Sequence, residues 1–237
     1  MPEVHGFCDE RFRLLEEAFR RNLDSGLDKG ASLAVTVDGK YVVDLWGGTR
    51  DYEMITPWEA DTVVRVFSTS KIALMIMVLM LVDRGLLDLD EPIATYWPEF
   101  AQHGKGAITT RQVLIHRTGL PGYGRPVTLD DLGDRDGVRS ILANARPWYE
   151  PDTMSCYAPL TFGDLLAEVI ERTTGVPFNG FFRRELADPL DADFHFGLPD
   201  EEADRVSAIW PHDPAPPHDS PIAQAALSEL GTCLLYT

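Results

Sequence analysis

Ser68-Thr69-Ser70-Lys71 opens the most apolar stretch of this 237-residue chain. In a helix, a spacing of three sets Ser68 and Lys71 on the same side, one turn apart. A helix start also offers free backbone N–H groups and the positive end of the helix dipole, where an oxyanion would be stabilised. A lysine there can take up a proton or act as a cation that tunes a second base. The chemistry suggested is attack by a serine hydroxyl, that is, acyl transfer. Ser-x-x-Lys alone equally describes a helix-capping serine beside a surface lysine, so its meaning depends on its surroundings.

Other reactive side chains carry less. His116, in Leu114-Ile115-His116-Arg117-Thr118-Gly119-Leu120, is an alternative base, but an imidazole in such a turn more often bonds nearby backbone. Cys156 reads as a small buried hydrophobe, with no histidine near it in sequence. Cys8, Cys156 and Cys233 form no CxxC pair, and the six histidines never fall at HxxxH or HxH spacing. Neither a disulfide framework nor a metal centre is supported, and no cofactor is called for.

The elements that must position Ser68 follow from periodicity. Cys8, Phe12, Leu15, Phe19 and Leu23 recur at helical spacing, predicting an amphipathic helix that ends near Gly26. Residues 32–37 (SLAVTV) and 41–46 (YVVDLW) read as strands, and Asp38-Gly39 between them is a strong hairpin signal. A helix from about Ser70 to Arg84 is apolar on nearly every face and stops at Gly85, as a central core helix would. Thr109 or Thr110 caps a helix through Ile115. Further helices are expected over 138–145, 160–172 and about 178–187. Beyond Gly197 five prolines between 211 and 221 mark an irregular stretch, with one short helical pattern at 223–230. The expected layout is one domain over 1–237: helix and hairpin at 8–46, the helix of Ser68 and a helical lobe at 62–198, and an irregular tail at 199–237. Two strands cannot cover so much helix, so the chain reads as unfinished.

Composition bounds the partners. The formal charge is −17 with pI ≈ 4.6, which argues against phosphate backbones and anionic lipid surfaces. The longest apolar run, Ile72 to Val82, is too short to span a bilayer. The first dozen residues lack the basic and apolar regions of a secretion signal, so a cytoplasmic protein is expected. Lysine is scarce, only Lys29, Lys40, Lys71 and Lys105, which makes a lysine in an apolar helix more notable.

Three segments carry a resemblance. VVRVFSTSKIALMIMVLMLVDRGLLDLDEPIATYWPEF (63–100), ITTRQVLIHRTGLPGY (108–123) and WYEPDTMSCYAPLTFGDLLAEVIERTTGVPF (148–178) resemble, in order, the catalytic segments of the β-lactamase-related serine hydrolases. That family includes class C β-lactamases, DD-peptidases and family VIII carboxylesterases, and the likeness leans to the esterase branch. It runs from His5 to about Leu198, an N-terminal portion. It implies an α/β (α+β) fold of the β-lactamase/transpeptidase-like class, an antiparallel sheet flanked by helices plus a helical lobe, here C-terminally incomplete. It also implies Ser68 as nucleophile, with Lys71 and Tyr157 handling protons. A phenol beside a lysine cation should be more acidic than usual, so Tyr157 could deprotonate Ser68 and later protonate the leaving group.

Two departures matter. β-Lactamases place asparagine two positions after the tyrosine, a donor to a substrate amide; here Pro159 occupies that place, which suits an esterase. The family's third motif, a lysine- or histidine-threonine/serine-glycine triplet on a later strand, is not found and is expected beyond Thr237. Asp152 stands where related segments usually have glycine and reads as a turn residue. The expected function is hydrolysis of small esters through an acyl-enzyme on Ser68. The alternatives are a β-lactam or D-amino-acid peptide hydrolase and, from another class, a non-catalytic binding protein or an inactive remnant on the same scaffold.

Overall fold

A computed structural model of the chain describes residues 2–209, which divide into two compact units, 2–65 with 198–209 and 66–197. The first is built on strands β1 (Val4–Cys8), β2 (Gly30–Val37) and β3 (Lys40–Gly48), in the antiparallel order β1-β3-β2, with helix α1 (Arg13–Ser25) between β1 and β2. Asp38 and Gly39 both take positive φ, 51° and 73°, the backbone a two-residue hairpin requires. Phe19 and Leu23 of α1 join Val42, Val43 and Leu45 in the buried cluster, with Leu33 and Val35 packed against it. The segment 198–209 rejoins this unit where Val63 and Val206 form a parallel bridge and the Ser207 N–H donates to Val63 O at 2.8 Å.

The first helix is shorter at its start than its periodicity predicts. Cys8 is not in the first helix but ends β1, paired with Val43, and the helix starts five residues later at Arg13. Cys8 and Phe12 are spaced as on a helix, yet Asp9 between them caps a separate turn (Glu10–Phe12) by accepting the Arg11 N–H. The spacing of four therefore spans a strand end and a turn. The tail expected to be irregular from 199 forms a 3-10 turn over Asp200–Arg205. Residues 210–237, including the five prolines, the helical pattern at 223–230 and Cys233, lie outside the described residues.

The second unit is helical: α2 (Ser70–Asp83), α3 (Ile93–Tyr96), α4 (Thr110–Leu114), α5 (Leu129–Gly133), α6 (Arg135–Asn144), α7 (Thr161–Thr174) and α8 (Phe178–Phe182). Thr109, not Thr110, is the cap of α4, accepting the Gln112 N–H while the Gln112 side chain accepts the Thr109 N–H. Leu74, Met77, Val78 and Leu81 on one side of α2 enter a core shared with Phe162, Leu165, Leu166 and Val169 of α7. The other side of α2, with Ile72, Met75, Ile76 and Leu79, is exposed, so this helix is half core and half apolar surface.

Lys105 is fully buried in the same unit. Its ammonium donates to the carbonyls of Gln102, Ala143 and Ala145 at 3.0, 3.0 and 2.6 Å and lies 5.1 Å from the Phe100 ring centroid. It thereby satisfies two carbonyls at the C-terminal end of α6. Glu168, also buried, is held by Arg139 and Arg172.

Candidate active site

Ser68 lies in a single 3-10 turn, Phe67–Thr69, that leads into α2, so it precedes the α-helix proper by two residues. The turn is tight. Phe67 takes φ 45°, uncommon for a bulky side chain, and Ser70 Oγ donates to Phe67 O at 2.6 Å. Ser68 is left exposed, with Lys71 on the first turn of α2 beside it. The Lys71 ammonium donates to Ser68 Oγ at 3.1 Å and to Pro159 O at 2.8 Å. It also lies 5.0 Å from the Tyr157 ring centroid and 5.5 Å from that of Phe162.

Tyr157 comes from the segment before α7 and its hydroxyl hydrogen-bonds Ser68 Oγ. The three residues singled out in the sequence thus meet at one oxygen. Burial raises the Tyr157 phenol, but its contacts with Ser68 and with Lys71, together with the Lys71 charge, outweigh that and leave it below the ordinary tyrosine value.

A long two-segment ladder holds Tyr157 in place. Trp148, Asp152 and Cys156 donate their N–H groups to the carbonyls of Gly119, Arg117 and His116 at 2.8, 2.8 and 2.9 Å. Thr161 Oγ1, at the start of α7, donates to Leu120 O at 2.7 Å. Asp152 takes φ 67°, a conformation glycine adopts without strain, and its carboxylate lies 2.7 Å from the Arg117 guanidinium. His116 does bond backbone, as a turn histidine was expected to, but its partner is distant in sequence: Nδ1 accepts the Ala158 N–H at 3.2 Å. Cys156 is half-buried, and burial pushes its thiol up, away from nucleophilic character. Among the described residues no group of three or more His, Cys, Asp or Glu is placed to hold a metal ion, and no helix is long and apolar enough to cross a membrane.

A sequence profile of the family described as Beta-lactamase matches residues 19–229. The chain belongs to the Beta-lactamase family. Within that family it is 40% identical, over 208 residues, to the esterase/beta-lactamase LipL of Mycobacterium tuberculosis, a match covering 87% of this chain and 48% of LipL. It superposes on a family VIII carboxylesterase with a TM-score of 0.84 at 37% identity, covering 88% of this chain and 58% of that one. A penicillin-binding protein homologue from Caulobacter crescentus gives a TM-score of 0.84 at 36% identity, covering 89% and 57%. The chain therefore spans about half the length of such Beta-lactamase family relatives. The fold is β-lactamase/transpeptidase-like, with an antiparallel sheet and helices, and the family is one of serine hydrolases that includes esterases and DD-peptidases.

Proposed function

We propose that the chain carries the acylating centre of a serine esterase. The observation that carries this reading is the convergence on Ser68 Oγ of the Lys71 ammonium, at 3.1 Å, and the Tyr157 hydroxyl. With Tyr157 as phenolate, the Ser68 hydroxyl donates to it and the freed oxygen attacks an ester carbonyl. The Ser68 proton passes to Tyr157 and from there to the departing alkoxide, leaving an acyl group on Ser68. Tyr157 then takes a proton from water as the hydroxide attacks the acyl carbonyl, and returns it to the departing Ser68 oxygen, which releases the acid and restores both the serine hydroxyl and the phenolate. Lys71 stays charged, favouring the phenolate and fixing both oxygens.

Esters are favoured over β-lactams because Pro159 stands where a lactamase places an amide donor, and the only polar group used at this position is its carbonyl, which accepts from Lys71. The carboxylesterase neighbour supports the same preference.

The test is covalent labelling with a fluorophosphonate, followed by mass mapping of the adduct. Modification of Ser68, lost in Ser68→Ala and reduced by about 10²-fold or more in Lys71→Ala and Tyr157→Phe, is expected. An adduct mapped to another residue would refute the assignment. In an extended chain that turns over, kcat/KM for p-nitrophenyl butyrate should exceed that for a chromogenic cephalosporin, and the reverse order would remove the ester preference.

A further inference from the structure

Tyr157 is flanked by two peptide groups held by one residue. His116 O accepts the Cys156 N–H at 2.9 Å, and His116 Nδ1 accepts the Ala158 N–H at 3.2 Å. The His116 ring also packs 4.9 Å from the Tyr157 ring and 5.0 Å from the Phe162 ring, centroid to centroid. His116 has φ 58°, a left-handed backbone that costs a side-chain-bearing residue energy. That conformation accompanies the presentation of carbonyl and ring nitrogen to the same segment, one on each side of the tyrosine.

We propose that His116 is a positioning residue for Tyr157, its neutral imidazole clamping the tyrosine's backbone so that the phenol stays on Ser68, and that protonation of the imidazole opens the clamp. The inference rests on the reading of Ser68 and Tyr157 given under Proposed function. A neutral imidazole accepts on Nδ1 only when its proton is on Nε2, and an imidazolium has no acceptor at all. Protonation would set two N–H donors against each other and leave the buried Ala158 N–H unpaired.

The charged and titratable groups around the ring agree with a neutral state. Lys71 approaches from α2 over the Tyr157 and Phe162 rings, Tyr157 and Cys156 lie on the facing segment, and neighbouring Arg117 is engaged by Asp152. Burial first, and then the Lys71 charge, push the His116 imidazole below its ordinary value. At neutral pH it is therefore an acceptor, and the clamp opens only in acid.

Two substitutions separate holding from titrating. His116→Gly tolerates the left-handed backbone but has no acceptor. His116→Asn tolerates it too, offers a carbonyl acceptor and does not titrate. The readout is the rate of fluorophosphonate labelling of Ser68 from about pH 5 to about pH 8, with each adduct mapped. His116→Gly should slow labelling at neutral pH by about 10-fold or more, since small misplacements of reacting groups are costly. His116→Asn should recover most of that rate and lack the extra acid loss of the parent, falling with the titration of one group instead of two. A Gly variant that labels Ser68 as fast as the parent, or an Asn variant that keeps the parent's full acid limb, would overturn the clamp. An adduct away from Ser68 would instead overturn the assignment of the nucleophile.

Discussion

In residues 66–197 one apolar cluster runs from Leu74 and Leu81 through Trp97 and Phe100 to Phe162 and Phe181, and a buried ammonium and a buried carboxylate sit in the same unit with their partners supplied. In the sheet unit the buried cluster is Phe19, Leu23, Val42, Val43 and Leu45, and among the described residues β1 and β2 each pair on one edge only, with β3. All three residues at Ser68 Oγ belong to the helical unit. Lys71 projects from a helix anchored by its inner face in the larger core, and Tyr157 from a segment bolted to the 116–120 stretch. A site that must hold oxygens within hydrogen-bonding distance gains from elements whose own rotamers are fixed by dense packing.

Core truncations should cost more in the helical unit than in the sheet unit. Phe100→Ala removes a fully buried ring that stacks on Trp97 and lies beside Lys105, and should cost about 3–5 kcal/mol. Leu45→Ala in the sheet should cost less, about 2–3 kcal/mol, because open edges let the strands close around the gap. Amide hydrogen exchange checks both: Phe100→Ala should lower protection across 66–197, and Leu45→Ala chiefly in β1 to β3. Equal costs would mean that the sheet is as tightly packed as the helices.

Lys105 makes the stability of the helical unit depend on pH. Burial, and then the charge of Arg146, push its ammonium down to about 8. Between about pH 8 and about pH 10.4 the unfolded chain then holds more protons than the folded one, so stability rises with pH across that window. Urea midpoints of the parent should climb relative to those of Lys105→Met between these limits. A constant difference would mean that the three carbonyls hold the lysine charged throughout.

The smallest effect is expected at the hairpin. At Gly39, with φ 73°, a Cβ would meet nothing within 4 Å, so Gly39→Ala isolates the backbone cost alone. About 1 kcal/mol is expected, read as faster exchange of the β2 and β3 amides.

Features encoded over a few residues were legible from the chain. Asp38-Gly39 dictates its own turn and Gly175 closes α7 with φ 69°, whereas a cap at Thr109 or Thr110 was legible but the choice of Thr109, with Gln112 as its reciprocal partner, was not. The strand Val4–Cys8 was not legible, because its pairing with β3 lies some forty positions away and Cys8 happens to continue a helical spacing. The two-sided character of α2 was hidden for a related reason. Its residues are apolar all round, so which face becomes core depends on where α7 packs.

At the site the same division holds. Ser68 and Lys71 are set one turn apart by helical geometry, which three residues of spacing already specify. Tyr157 is marked only by a family pattern, and nothing local brings it to an oxygen 89 positions earlier. The role of His116 was out of reach of sequence reasoning, since its Ala158 partner is 42 positions away and its left-handed backbone has no glycine to announce it. Hydrogen bonds between distant segments depend on how the intervening helices pack, and that is decided by the whole core at once.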